Sequence, residues 1–131
     1  MRLDVLIDEV LPHPVEVVWA ALTDRDSISE WLMRTAEFEP VVGARFRMRT
    51  QNLSPDGWVR AEVTEVEPPR RMVWAWSVEE AAHPTTVTFE LAPHDDGTRL
   101  RLTHEGEIAD RPGGLLEAGW PVKLEDLKRR L

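Results

Sequence analysis

The chain has no cysteine and no tyrosine among its 131 residues. The first absence excludes disulfides, thiolate metal sites and a thiol nucleophile. It accords with a reducing cytoplasm, the compartment expected for this protein. Cations are also scarce: 16 Lys and Arg face 24 Asp and Glu, for a net charge of -8. Such a surface opposes non-specific binding to nucleic acid or anionic membrane, and neither is an expected partner. No apolar run approaches the roughly 20 residues of a membrane span, so no membrane insertion is expected. The start, Met1-Arg2-Leu3-Asp4, alternates like a strand and lacks a signal-peptide core.

Familiar catalytic and ligand-holding motifs are missing too. His13, His83 and His94 stand at turns beside proline or aspartate, without metal-ligand spacing. Pro112-Gly113-Gly114 is too short for a phosphate loop, and no serine sits in a Gly-x-Ser-x-Gly elbow. No metal or other cofactor is expected. The three arginines Arg45, Arg47 and Arg49 alternate with Phe46 and Met48, which makes them the solvated face of a strand.

Tryptophan, by contrast, is abundant: Trp19, Trp31, Trp58, Trp74, Trp76 and Trp120 spread along the chain. Hydrophobic periodicity places them on elements. Residues 2–10 alternate as a strand. Val15, Val18, Trp19 and Leu22 follow Pro14 at helical spacing, which puts Trp19 in the core. A second short helix carries Ile28, Trp31 and Leu32, with Asp26 or Ser27 as its cap. From residue 35 the period becomes two. A short extended piece covers Thr35 to Phe38. Strands follow around Phe46–Thr50, Trp58–Glu67, Arg70–Ser77, Thr85–Leu91 and Thr98–His104. Ser54-Pro55-Asp56-Gly57, Pro68-Pro69 and Asp96-Gly97 mark turns, and residues 79–84 a polar loop. Asp110 to Gly114 reads as a flexible loop. Leu116, Trp120, Leu124, Leu127 and Leu131 form one helical stripe, which Pro121 should either begin or kink.

The length fits one domain spanning residues 1–131. Strand, two short helices, six strands and a long helix describe an α+β fold with about seven antiparallel strands. The last helix is the one long element able to cover the sheet's apolar face.

Several segments resemble the SRPBCC (START-like) superfamily, and within it the branch similar to the activator of the heat-shock protein 90 ATPase. Pro14-Val15-Glu16-Val17-Val18-Trp19-Ala20-Ala21-Leu22-Thr23-Asp24 is similar to the opening of that family. Phe38-Glu39-Pro40, Gly43-Ala44-Arg45-Phe46, Glu65 to Arg71, Thr103-His104-Glu105-Gly106 and Gly119-Trp120 continue the resemblance in order. Val42 departs from it, standing where relatives often carry glycine. The resemblance implies a helix-grip fold, a curved sheet wrapped around the C-terminal helix with a deep pocket between. It also implies relatives that bind lipids, polyketides and other hydrophobic ligands, some of them cyclases or aromatases.

Candidate pocket residues are the same-face side chains Phe46, Met48, Trp74, Trp76, Phe89, Leu100, Leu102 and His104 from strands. Leu116, Trp120, Leu124 and Leu127 join them from the helix. Trp74 and Trp76 could stack on a flat ligand or pack the core. Trp120, between Gly119 and Pro121, could gate the mouth together with residues 110–114, or anchor the helix. His104 is the one inward titratable group, either a satisfied core histidine, a ligand partner or a general acid/base.

The leading reading is a binder of a small hydrophobic, aromatic or lipid-like molecule, acting as monomer or homodimer. The first alternative is a cyclase-, aromatase- or hydrolase-like enzyme using His104 and a bound water. The second is a co-chaperone-like interaction with heat-shock protein 90, ranked last because the chain lacks room for the separate N-terminal domain of such activators.

Overall fold

The structure, a computed structural model, describes residues 1–79 and 83–131; part of the expected 79–84 loop thus lies outside the described residues. Among the described residues, six strands form one antiparallel sheet. They are β1 (Arg2–Leu11), β2 (Arg45–Arg49), β3 (Trp58–Glu67), β4 (Arg71–Ser77), β5 (Thr85–His94) and β6 (Gly97–Glu107), ordered β1-β6-β5-β4-β3-β2. Helices α1 (Val15–Thr23) and α2 (Arg25–Trp31) lie between β1 and β2, and α3 (Asp110–Arg130) ends the chain. This is the helix-grip arrangement, with six strands rather than about seven. Residues 35–38 do not join the sheet; α2 holds the first two instead, with Arg25 donating to the Ala36 carbonyl at 3.0 Å. The Ser29 hydroxyl donates to the Thr35 carbonyl at 3.0 Å and accepts from the Thr35 amide at 3.1 Å.

Alternation sets the sheet's two faces. Phe46 and Met48 are buried while Arg45, Arg47 and Arg49 are exposed. Met72, Trp74 and Trp76 are buried on β4, and Val87, Phe89 and Leu91 on β5. On β3 the register shifts between Val63 and Glu65, and the Thr64 hydroxyl bonds the Val73 carbonyl at 3.2 Å. A bulge of this kind bends its strand and increases the twist, which curves the sheet toward the helices.

The cap of α2 is Asp24, one residue beyond the end of α1. Its carboxylate accepts from the Ser27 amide at 2.9 Å, a role expected of Asp26 or Ser27. Trp19 is only partly buried, packed against the core's edge rather than within it.

Helix α3 departs most from expectation. Asp110 to Gly114 are its first turns, and it runs unbroken through Pro121. Pro112 is tolerated because the first turn needs no amide donor there. Pro121 leaves the Glu117 carbonyl without its helical donor, but both residues are exposed and water can serve it. The stripe Leu116, Trp120, Leu124 and Leu127 is buried against the sheet. Arg130 ties the helix end to α2, donating to the Ser27 hydroxyl at 2.9 Å and pairing with Glu30.

The β5–β6 hairpin turns on Asp95 and Asp96, with His94 opposite Gly97 and Asp95 at φ 53°. Gly97 is therefore the first residue of β6, not part of the turn. Glycine is needed there for close approach: a Cβ would lie 2.3 Å from the Leu11 carbonyl oxygen. Gly97→Ala is expected to push β1 and β6 apart locally and cost about 1–3 kcal/mol, read as a lower urea midpoint. An unchanged midpoint would mean that the strands separate freely at this end.

Candidate functional site

The sheet and α3 enclose two aromatic groups rather than one open chamber. In the first, Trp74 has Phe46 at 5.1 Å, Phe89 at 4.8 Å and Phe38 at 5.8 Å between ring centroids. Trp31 meets Phe89 edge-on at 6.4 Å. In the second, Trp76, His104 and Trp120 meet pairwise at 5.1–5.9 Å. All the expected pocket residues are buried. Three of them, Trp76, Leu116 and Trp120, line a cleft of about 430 Å³. Phe46, Met48, Trp74, Phe89, Leu102, His104 and Leu124 do not line it; they fill the space behind.

The cleft opens between α3, the residues following α2 and the segment after β2. Leu32, Met33 and Leu53 complete its apolar wall, together with Leu115. Polar edges come from Thr50, Gln51 and Asn52, and cationic ones from Arg49 and Lys123. The segment after β2 is fixed in place. The Thr50 hydroxyl accepts from the Asn52 and Leu53 amides at 3.4 and 3.2 Å, and Arg111 on α3 donates to the Asn52 carbonyl at 2.7 Å. A hollow of about 550 Å³ between Glu30, Asp126, Arg129 and Arg130 has no apolar residue in its wall, so the cleft is the better ligand site.

His104 stands behind Trp120, and its bonds fix its chemical state. The Trp120 indole Nε1–H, which can only donate, bonds His104 Nδ1 at 2.9 Å. Nδ1 must therefore carry a lone pair, and the ring proton sits on Nε2. Nε2 donates it to the Thr85 hydroxyl oxygen, 2.6 Å away, and the hydroxyl in turn donates to the Trp76 carbonyl at 3.3 Å. Burial pushes the His104 pKa down to about 3. Protonation would set a second N–H against the indole N–H. Both ring nitrogens are thus engaged, and the group is neutral at pH 7. Gly106, at φ +141°, allows this packing: a Cβ there would lie 2.9 Å from the Thr85 side chain.

Two buried donors stand apart from this network. The indole N–H groups of Trp74 and Trp76 have no acceptor among the described residues. Trp76 also borders a second hollow, of about 290 Å³, lined by Val78, Thr85 and Ile108 among others. It is one side chain of wall between two spaces. The described residues contain no group of three or more His, Asp or Glu placed to hold a metal. No described helix is long and apolar enough to cross a membrane.

Sequence reasoning missed Thr85, Leu32, Met33, the segment 50–53 and Lys123. Thr85 was available by parity, two residues before Val87 on the same face. Lys123 follows Trp120 and Gly119 by three and four positions on α3, a face the apolar stripe does not include. The segment 50–53 has no periodicity to signal it.

A curved antiparallel sheet gripping a C-terminal helix, with an aromatic-walled cleft beside that helix, defines a helix-grip protein of the SRPBCC superfamily. Residues 12–131 match the family described as Activator of Hsp90 ATPase homolog 1-like protein, and the chain belongs to that family. Among solved structures it is similar to MLL2253 from Mesorhizobium loti, with 32% identity over 96% of this chain and 94% of that one, TM-score 0.83. It is also similar to DynU16, a protein in the dynemicin biosynthetic locus, at 26% identity over 96% of this chain and 46% of that one, TM-score 0.77. The Aha1 dimer from Colwellia psychrerythraea shares the fold, at 23% identity over 98% and 95% of the chains, TM-score 0.80. No curated protein matches the chain.

Proposed function

We propose that this protein binds a small, largely apolar molecule in the cleft beside α3, with Trp76, Leu116 and Trp120 as its inner wall. The observation carrying this reading is an aromatic-walled cleft of about 430 Å³, within the range of small-molecule sites. Its central wall residue is clamped from behind by the Trp120–His104–Thr85 hydrogen bonds. Such a wall is preorganised, so little ordering entropy is lost when a ligand docks. DynU16 comes from a biosynthetic locus, which is consistent with a small-molecule partner.

His104 is then a positioning residue. It touches the ligand only through Trp120, and a neutral imidazole with both nitrogens engaged is not poised to shuttle protons at pH 7. Binding without turnover is the reading that this geometry favours over a His104-based enzyme.

The test is nuclear magnetic resonance of the six indole N–H groups during titration with neutral naphthalene derivatives. The Trp76 and Trp120 signals are expected to shift while those of Trp31 and Trp74 hold still. Unmoved Trp76 and Trp120 signals across neutral and charged probes would defeat the proposal.

A further inference from the structure

The charge around the cleft runs against the charge of the chain. Acids outnumber bases 24 to 16 overall, yet among the described residues no Asp or Glu lines the cleft, while Arg49 and Lys123 do. Arg111 adds a third cation at the same mouth, through its bond to the Asn52 carbonyl. Elsewhere most cations are committed: Arg45, Arg47, Arg71, Arg99, Lys128, Arg129 and Arg130 each pair with a carboxylate. Lys123 has no carboxylate partner among the described residues, although it is half-buried on α3 one turn beyond Trp120. Arg49 has no carboxylate partner among them either; its guanidinium lies 5.0 Å over the Trp58 ring.

A half-buried lysine beside an apolar wall has two ways to satisfy its ammonium. It can reach out to water along its alkyl chain, or it can meet an anion that arrives in the cleft. The lining makes the second favourable, because an entering anion meets no repulsive carboxylate among the described residues of the site while the remaining surface repels it. Resting on the cleft reading, we infer that the ligand is an amphipathic anion. Its apolar body lies against Trp76 and Trp120, and its acidic group sits at the mouth with Lys123, in the field of Arg49 and Arg111. The polar edge of Thr50, Gln51 and Asn52 stands on the same rim and suits an oxygen-bearing head group. This sets a chemical class, a carboxylic or similarly acidic molecule of small aromatic or short-chain size, and disfavours neutral hydrocarbons and cations.

The test uses a matched pair, 2-naphthylacetate and its neutral analogue 2-naphthylacetamide, titrated into the full chain by calorimetry and followed on the indole signals. At low salt the carboxylate is expected to bind up to about tenfold tighter than the amide, the order of magnitude for one partly exposed ion pair with Lys123 in the added field of Arg49 and Arg111. The ratio should collapse toward one at about 0.5 M salt, where screening acts within a few ångströms. Lys123→Gln should shrink the ratio several-fold, because the carboxylate loses more affinity than the amide. Lys123→Glu should turn the preference toward the amide. Equal binding of the two probes by the unaltered protein would overturn the anion inference and leave the cleft reading standing. So would a ratio that survives both Lys123 variants. Failure of both probes to bind or to move the Trp76 and Trp120 signals would overturn the cleft reading, and this inference with it.

Discussion

Replacing His104 with leucine is expected to lower the unfolding free energy by about 2–4 kcal/mol at pH 7, because a buried donor, the Trp120 indole N–H, and a buried acceptor, the Thr85 hydroxyl oxygen, lose their partner at once. The Trp120 indole N–H bonds Nδ1 at 2.9 Å and the Thr85 hydroxyl faces Nε2 at 2.6 Å, both in a site with no solvent exposure. The same variant should alter the response to acid, with a sign fixed by the burial. In the folded state the pKa of His104 is pushed down to about 3 from an ordinary 6.5. Between those values the unfolded chain holds a proton that the folded one refuses. Stability from this group is therefore complete above pH 6.5 and falls as pH drops toward 3, by about 1.4 kcal/mol per unit. Asp8 and Asp56 act lower down. Arg99 lowers the pKa of the first, and Arg60 and the Trp58 amide take the second from 3.8 to about 2. Their contributions are present above 3.8 and are lost below it. Urea unfolding at pH 7.5 and pH 4.5 thus spans the window of His104 while staying above that of these two carboxylates. The unaltered protein should lose about 2–3 kcal/mol across that interval, and the leucine variant should lose much less. Parallel losses would show that His104 is not the acid-sensitive group.

How much of this was legible in the sequence depends on the kind of signal. Period-two alternation is local, so the faces of β2, β4, β5 and β6 could be read directly: Met72, Trp74 and Trp76 turn inward together, as do Leu100, Leu102 and His104. Helix boundaries were harder where two rules compete. Pro112, Gly113 and Gly114 carry loop chemistry, yet the helix begins there because its first turn tolerates proline and its buried stripe extends to Pro112 and Gly113. Residues 35–38 alternate like a strand, but Thr35 takes the Ser29 hydroxyl as its partner, a contact six residues back that no periodicity reports. The site shows the same division. Inward residues could be named, but not which of them face a cleft and which fill the core. That depends on three-dimensional adjacency, such as Arg111 reaching Asn52 across 59 positions. His104 could be placed inward by parity. Its tautomer depends on Trp120 and Thr85, 16 and 19 residues away.

The largest single loss is expected at Trp74, and contrast with Trp76 separates folding from binding. Both lie on β4, both are buried, and both carry an indole N–H without an acceptor among the described residues. Trp74 is surrounded by Phe38, Phe46 and Phe89. Trp74→Ala opens a closed apolar void and should cost about 3–5 kcal/mol, a large share of the roughly 5–15 kcal/mol that holds a domain together. Trp74→Phe should cost far less, about 1 kcal/mol, because removing an unpaired buried donor offsets part of the lost packing. Trp76 divides the cleft of about 430 Å³ from the hollow of about 290 Å³. Trp76→Leu therefore joins two existing spaces rather than creating a sealed one, and water or ligand can enter the room it leaves. Its stability cost should stay below that of Trp74→Leu by about 1–2 kcal/mol. Its ligand preference should move toward bulkier probes, such as a phenanthrene acid in place of a naphthalene acid, measured by calorimetry. If Trp74→Leu changes ligand size preference and Trp76→Leu does not, the assignment of one tryptophan to the core and the other to the cleft wall is reversed.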